Sequence, residues 1–197
     1  MVSNRILLIQ GHPDTLLPHF CHALEEAYSS GANYAGHEVR RVHVADLNFP
    51  LLTSQENWEN GALPEVLRAV QDDITWSTHI VLFFPLWLGD MPAILKGFLE
   101  QVLRPDFAFE STKEGMPFSK KGLKGRSARV VVTMAMPAIV YRWYFRAHSV
   151  KALERNVLGF VGISPVRETL IGGVGELNEG DATPWLEKLR DLGRAGQ

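Results

Sequence analysis

The stretch FFPLWLGDMPAILKGFLEQVLRPDFAF, residues 83–109, decides the fold of this chain. It opens within the apolar run His79 to Phe84, whose β-branched and aromatic residues predict a strand buried on both faces. Pro85 ends the strand, and Pro92 takes the first position of a helix whose apolar period runs from Ala93 to Leu103. Because ligands of open α/β sheets bind beyond the carboxyl ends of the strands, we expect a ligand against the turn between the two prolines.

Strands and helices alternate along the rest of the chain, as is typical of an α/β protein. Strands separated by helices pair in parallel through right-handed crossovers. We therefore predict one domain over residues 1–197, a three-layer sandwich with a five-stranded parallel sheet in the flavodoxin-like order 2-1-3-4-5. The predicted strands are Arg5 to Gln10, Val39 to Val44, His79 to Phe84, Arg129 to Thr133 and Val166 to Ile171. The predicted helices are Phe20 to Ala35, Pro64 to Thr75, Ala93 to Leu103, Ser149 to Leu158 and Thr183 to Leu192.

Three of the segments that connect the predicted strands and helices differ from one another in composition. Asp46 to Leu52 is predicted to be a plain loop. The insert from Glu110 to Lys124 is rich in Lys, Gly and Ser, which predicts a mobile loop. The segment Tyr141 to Ala147 is unusually aromatic and basic for a connection, which makes it a candidate for contact with a ligand or a partner.

The composition argues against several classes of function. A net charge of −2 without a long Lys/Arg cluster gives no electrostatic footprint for nucleic acid or an anionic membrane. No apolar run reaches the roughly 18 residues that a membrane span needs, so we expect no direct membrane insertion. Cys21 is the single cysteine, and the N-terminus shows no signal-peptide pattern, so we expect a cytoplasmic protein. The seven histidines are scattered and no Cys/His set has metal-ligand spacing, so we expect no metal.

The loop after the first strand has the features of a phosphate cradle. Gly11, His12, Pro13 and Asp14 follow the strand and lead to a helix that starts near Phe20. Free backbone N–H groups and the helix dipole attract anions at such a helix start. The loop has neither a G-x-G-x-x-G pattern nor a Walker lysine, which disfavours a glycine-rich dinucleotide fold and a P-loop ATPase.

The decisive stretch also resembles the flavin-dependent NAD(P)H:quinone reductases, a family that includes the DT-diaphorase, modulator of drug activity B and potassium-efflux ancillary types. Its members share F-P-L-x-W-x-x-x-P-A-I-L-K-G followed by V-L-x-x-G/D-F-A-F. Trp87 fills the variable position, and Leu88 stands where the usual tryptophan would be. The residues in register are Phe84, Pro85, Leu86, Pro92, Ala93, Ile94, Leu95, Lys96, Gly97, Val102, Leu103, Phe107, Ala108 and Phe109.

The resemblance implies an NAD(P)H dehydrogenase (quinone) with a tightly bound flavin. Such enzymes take hydride from NAD(P)H and pass it to a quinone or a related small acceptor in the same pocket, one substrate leaving before the next enters. The altered phosphate loop favours FAD slightly, with FMN possible. A homodimer is implied, in which Trp143 to Phe145 and the loop after Asp46 cross to the partner.

The resemblance also implies the site residues. His12 matches the family's G/A-H-P motif, whereas His19 and Cys21 replace the serine and asparagine of the S-F-N that follows it. Tyr141 and His148 are the implied catalytic residues, because a phenol or an imidazolium stabilises the reduced flavin. The implied cofactor-binding residues, including Trp87 as the floor, are His12, His19, Phe20, Cys21, Pro85, Leu86, Trp87, Leu88, Thr133, Met134, Ala135 and Met136.

Two other functions remain open from the sequence. A flavodoxin-type electron carrier would bind FMN without using NAD(P)H, although this chain lacks the T/S-rich phosphate loop typical of flavodoxins. An ancillary regulatory subunit of a potassium-efflux system would share the motifs and act by binding a membrane partner.

Overall fold

The fold is known from a computed structural model that describes residues 3–110 and 121–197. Within these residues, five parallel strands form one sheet in the order β2-β1-β3-β4-β5, so the predicted fold class and strand order are confirmed. The strands are β1 (Arg5–Gln10), β2 (Glu38–His43), β3 (His79–Pro85), β4 (Ser127–Thr133) and β5 (Val166–Ile171).

Helices cover both faces of the sheet. The helices are α1 (Phe20–Tyr34), α2 (Gln55–Glu59), α3 (Glu65–Trp76), α4 (Ala93–Val102), α5 (Ala138–Trp143), α6 (His148–Ala152), α7 (Gly159–Val161) and α8 (Glu179–Ala195). A π-helical turn, Leu153–Leu158, joins α6 to α7, and short 3-10 turns lie at Val44–Asp46 and Val174–Glu176. None of the helices in the described parts of the chain is both long and apolar enough to cross a membrane.

Strand β3 is the centre of the molecule. All seven of its residues are buried, and it pairs with β1 on one side and β4 on the other. Because side chains alternate along a strand, Leu82 and Phe84 face the core beneath α3 and α4, whereas Val81 and Phe83 face the core beneath α1 and α8. The continuous apolar run of β3 is therefore the sequence signature of a strand covered on both faces.

Several predicted boundaries shift for identifiable reasons. Strand β2 ends at His43, because Val44 already belongs to a 3-10 turn. Helix α8 begins four residues earlier than predicted, at Glu179, because the Asn178 side chain accepts a hydrogen bond from Asp181 N at 3.1 Å. Pro92 is the N-cap of α4 rather than its first residue.

Two short helices occupy segments that the sequence predicts as connections. Helix α2 follows Ser54, whose hydroxyl accepts from Asn57 N at 3.1 Å. Helix α5 takes up the first part of the aromatic segment Tyr141 to Ala147. Of the predicted mobile loop Glu110 to Lys124, residues 111–120 lie outside the described residues.

Helices α1 and α8 pack closely through two glycines. A Cβ atom at Gly31 would lie 1.9 Å from the backbone oxygen of Arg190. A Cβ atom at Gly193 would lie 2.0 Å from the backbone oxygen of Tyr28. These contacts are with backbone, so no side chain can move aside, and α1 is held at this distance from α8 only while both positions remain glycine.

We expect Gly31→Ala to lower the free energy of unfolding by about 3 kcal/mol, because the two helices must separate to admit the methyl group. Urea denaturation measures the change. The matched control is Gly175→Ala, since nothing lies within 4 Å of a Cβ atom at Gly175. Equal stability of the two variants would contradict the packing described for α1 and α8.

Candidate functional site

A pocket of about 430 Å³ lies at the edge of the sheet where β1, β3, β4 and β5 end. This is the crevice in which open α/β sheets bind their ligands. Its wall brings together ten of the twelve residues predicted to bind a cofactor. The lining residues are His12, Asp14, His19, Phe20, Cys21, Pro85, Leu86, Trp87, Thr133, Met134, Ala135 and Val174.

The turn after β3 forms one wall of the pocket. Trp87 N donates to Asp90 O at 2.8 Å, and Asp90 N donates to Trp87 O at 3.0 Å. Leu88 and Gly89 between them have φ angles of 49° and 85°, as a tight type I′ turn requires. Trp87 is 52% exposed and turns its ring toward the pocket, whereas Leu88 is fully exposed at the tip and does not line it. Leu88 is therefore not among the residues that one chain brings to the pocket, and its contact with a cofactor stays a prediction.

The loop between β1 and α1 is held at both ends by the side chain of Gln10. Its amide oxygen accepts from His12 N at 3.1 Å and from the Cys21 thiol at 3.3 Å. Its amide nitrogen donates to Cys21 O at 3.2 Å and to Glu25 Oε2 at 3.1 Å. Gln10 thus joins the end of the sheet to the loop and to the first turn of α1.

The carboxylate of Glu25 orients that amide from beneath. Glu25 is buried, and its second oxygen lies 3.2 Å from Nε2 of His43 on β2. Arg41 lies 4.0 Å from the same oxygen. Since both oxygens have partners, the buried charge is compensated and the amide of Gln10 has only one favourable orientation.

Four imidazoles cluster around the start of α1. The rings of His12 and His19 stack, with centroids 3.9 Å apart and planes inclined by 22°. The ring centroid of His22 lies 5.1 Å from that of His12, and the ring centroid of His43 lies 6.4 Å from that of His22. Asp14 Oδ2 is 2.7 Å from His19 Nε2. Among residues 3–110 and 121–197, no group of His, Cys, Asp and Glu side chains has the arrangement of a metal site.

Burial and mutual repulsion set the charge of this cluster. Desolvation, followed by the positive charge of His19, lowers the pKa of His12 below its ordinary value. The same two causes lower the pKa of His22. Although Asp14 and Glu25 act in the opposite direction, the net effect favours the neutral imidazole at both residues.

Cys21 contributes a buried thiol to the pocket wall. Burial raises its pKa far above the ordinary value, so the thiol stays protonated at neutral pH. In that state it donates to Gln10 and offers the pocket a small apolar surface. The thiol is therefore part of the loop's support and not a nucleophile.

The end of β4 and the loop after it contribute three residues to the pocket wall, Thr133, Met134 and Ala135. Thr133 and Met134 are buried, and the side chain of Met134 packs into the core beneath α4. Ala135 is exposed at the rim, so its small side chain leaves the pocket open. Met136 is half-buried against the core and does not line the pocket, so its contact with a cofactor stays a prediction.

A model of the family described as having a flavodoxin-like fold matches residues 4–191. The chain belongs to this flavodoxin-like family. It is similar to an uncharacterised NAD(P)H oxidoreductase of Haemophilus influenzae, with 28% identity over 172 residues that cover 85% of this chain and 83% of that protein. These matches confirm the resemblance on which the sequence analysis rests.

Solved structures share the flavodoxin-like fold at lower identity. An NAD(P)H:quinone oxidoreductase from Methanothermobacter marburgensis superposes with a TM-score of 0.81 at 23% identity, covering 98% of this chain and 96% of that one. An FMN-dependent NADH-azoreductase from Bacillus anthracis, solved with FMN, has a TM-score of 0.72 at 18% identity, with 98% and 99% covered.

Tyr141 and His148, the two residues predicted to be catalytic, lie outside the pocket. Tyr141 is buried, and its hydroxyl lies 2.6 Å from Ser149 Oγ and accepts from Val150 N at 3.3 Å. These contacts fix the beginning of α6 to α5. His148 is exposed, and neither residue lines the pocket. Within one chain, Tyr141 therefore stabilises the packing of α5 against α6. The proton-donor role of Tyr141 and His148 stays a prediction.

The sequence analysis missed the polar support of the loop. Gln10, Glu25, His22 and His43 were not singled out, although a glutamine that ends the apolar run RILLIQ is unusual for a buried strand. Asp14 and Val174 also line the pocket without having been predicted as ligand contacts. A polar residue at the carboxyl end of a buried strand was the signal that could have found Gln10.

We expect Gln10→Met to lower the free energy of unfolding by about 2 kcal/mol, because Glu25 and His12 N would each lose a buried hydrogen-bond partner. Urea denaturation measures the loss. Gln55→Met is the matched control on the surface, where the Gln55 amide donates to the exposed Glu59, and a change under about 0.5 kcal/mol is expected. Equal effects in the two variants would show that Gln10 does not hold the loop.

Proposed function

We propose that the protein is a flavin-dependent NAD(P)H oxidoreductase that reduces quinones or related small acceptors. The observation that carries this proposal is the pocket itself, in which an anion-binding helix start and a wide aromatic wall meet at the carboxyl edge of the sheet. The similarity to an NAD(P)H oxidoreductase of Haemophilus influenzae supports the same chemistry.

The residues present fit the phosphate end of a flavin nucleotide. The first N–H groups of α1, at Phe20 and Cys21, have no acceptor within the helix. They open onto a pocket that His12 and His19 also line. Helix N–H groups beside imidazole donors are a suitable set for phosphate oxygens. The hydroxyl-bearing Thr133, which lies next to Cys21, adds a further polar group to this part of the pocket.

The residues also fit the ring end. Trp87, Leu86 and Pro85 present broad apolar surface, and the ring of His12 lies edge-on to Trp87 with centroids 6.1 Å apart. A flavin bound there would supply the redox chemistry, accepting hydride from NAD(P)H and passing it to an acceptor. The protein's part is to hold the ring against Trp87 and to leave its other face open for one substrate at a time, which is the basis for proposing a ping-pong order.

The identity of the flavin is part of the proposal. The sequence analysis favours FAD slightly, whereas the structurally similar azoreductase from Bacillus anthracis is FMN-dependent. Both carry the phosphate for which the first loop is suited, so titrations of the flavin-free protein with FMN and with FAD decide between them.

We expect the purified protein to show the visible absorption of a bound flavin and to lose it when NADPH or NADH is added without oxygen. Protein that neither carries flavin nor binds added FMN or FAD would refute the proposed function. A flavin that NAD(P)H fails to reduce, but that other electron donors do reduce, would identify an electron carrier instead.

Trp87→Ala tests the position of the ring. We expect flavin affinity to fall about tenfold, because an aromatic stacking partner contributes roughly 1 kcal/mol beyond the area it covers. Fluorescence titration with flavin measures this. Trp76→Ala is the control, since Trp76 lies at the end of α3 against Arg40 and outside the pocket. Unchanged affinity in Trp87→Ala would place the ring elsewhere.

We further propose that two copies of the chain meet at the carboxyl edge of the sheet. Leu16, Leu88 and Trp143 follow β1, β3 and β4 there, and all three side chains are largely exposed. Tyr144 extends the aromatic surface next to Trp143. A concentration of exposed apolar side chains around a ligand pocket is typical of an interface, and a two-fold contact would bury the same patch on both copies.

Sedimentation velocity tests this arrangement. We expect a dimer at micromolar concentration, and a shift to monomer in Leu88→Glu combined with Trp143→Glu. Tyr34→Glu is the control, because Tyr34 is equally exposed but lies at the end of α1 away from the pocket. A wild-type monomer that retains flavin would contradict the proposed assembly.

A further inference from the structure

The stacked pair of imidazoles in the first loop is an unusual lining for a phosphate site. His12 precedes Pro13 in the loop and His19 is the N-cap of α1, and the two rings overlap at 3.9 Å. The resemblance described above places a serine where His19 stands. A serine can only share a hydrogen bond with phosphate, whereas an imidazole can also take up a proton and carry positive charge.

We propose that the His12–His19 pair takes up a proton when the phosphate group of the flavin binds, so that affinity for phosphorylated flavin falls as pH rises above neutrality. This inference rests on the proposed function and concerns the phosphate group alone. Riboflavin, which has the same ring without the phosphate, is then bound without proton uptake and without this pH dependence.

The geometry explains why protonation of both imidazoles requires a bound anion. Two positive charges about 4 Å apart repel strongly in a partly buried site. In the flavin-free protein, burial and the charge of His19 accordingly lower the pKa of His12. A phosphate dianion beside the pair reverses this balance, because an opposite charge at contact distance favours the protonated imidazole. The pKa of the pair therefore rises on binding, and a proton is taken up between the free and bound values.

The neighbouring carboxylates increase the positive charge that the pair must carry for a phosphate to bind. Asp14 lies 2.7 Å from His19 and faces the same pocket, so it would repel a phosphate unless the pair carries additional positive charge. Glu25 is bonded instead to Gln10 and His43, with Arg41 at 4.0 Å, so its charge is already compensated. Among the described residues that line the pocket, Asp14 is the carboxylate whose negative charge is left to be balanced.

The other titratable groups around the pair are not placed to take up the proton when the phosphate binds. His22 accepts from His19 N at 3.4 Å through Nδ1, and it is not part of the pocket wall. His43 lies behind it, between Glu25 and Asp46 at 3.2 and 3.8 Å. The thiol of Cys21 stays protonated because burial raises its pKa. The pair that lines the pocket is therefore the group that can take up a proton from solvent when the phosphate binds.

The alternative is a site in which the helix N–H groups alone bind the phosphate. These groups do not titrate, and a phosphate monoester is already a dianion above its second pKa of about 6. Between about pH 7 and 9 such a site would bind FMN with an affinity that does not depend on pH. Binding by the imidazole pair and binding by the helix N–H groups alone therefore differ in the number of protons taken up with FMN, which can be measured.

Isothermal titration calorimetry of the flavin-free chain at pH 7.5, in two buffers of different ionisation enthalpy, counts the protons taken up with FMN and with riboflavin. We expect net uptake with FMN only, and an FMN affinity that falls by up to about tenfold per pH unit above neutrality for one linked proton. In His12→Gln and in His19→Gln the uptake should shrink and the affinity profile should flatten. His37→Gln, which removes an imidazole bonded to Asn4 N and Arg194 O far from the pocket, should leave both unchanged.

A second measurement covers the case in which the variants bind FMN too weakly to analyse. NMR titration of the histidine ring protons in the wild-type chain should show that the pKa of His12 or His19 increases when FMN is bound. FMN binding without proton uptake and without such an increase overturns the inference and leaves the flavin function standing. Absence of binding by FMN, FAD and riboflavin refutes the proposed function, and the inference with it.

Discussion

The carboxamide of Gln10 is the contact on which the geometry of the candidate site depends. It ends β1, and its oxygen and nitrogen bond to both flanks of the loop that follows. A loop of this kind is usually free to vary, since it lies outside the sheet. Here the buried charge of Glu25 fixes the amide, and His43 fixes Glu25 from the neighbouring strand. The position of the imidazoles at the pocket is thus set by the sheet and not by the loop alone.

The parts of the fold that local sequence determines were predicted well. Strand β3 and helix α4 follow from an apolar run, two prolines and a helical period within residues 79–103, and both lie where expected. The parallel sheet order follows from the alternation of strands and helices, because crossover handedness leaves few topologies. The same local signal failed for α2 and α5, which are too short to show a period and depend on a cap or on packing.

The candidate site was predictable only in outline, for a physical reason. The pocket residues of the first loop and of the turn after β3 follow strand ends, so their convergence could be inferred from topology. The support of the loop joins residues 15 and 18 positions apart in sequence. No periodicity marks such pairs, since they depend on how α1 lies across β1 and β2. Tyr141 shows that spacing along the sequence does not fix where a side chain points. It falls at the spacing of the family's tyrosine, but its hydroxyl bonds to Ser149 and does not line the pocket.

The turn after β3 carries a conformational cost within the single chain. Leu88 adopts a left-handed backbone conformation, which costs roughly 1 to 2 kcal/mol for a residue with a branched side chain, and its apolar side chain is fully exposed. Asparagine or glycine would make the same turn with less strain. Within the described residues nothing covers this side chain. A second copy of the chain packed over Leu88 would remove its apolar surface from water. The strained turn is therefore better explained by the proposed interface than by the fold of one chain.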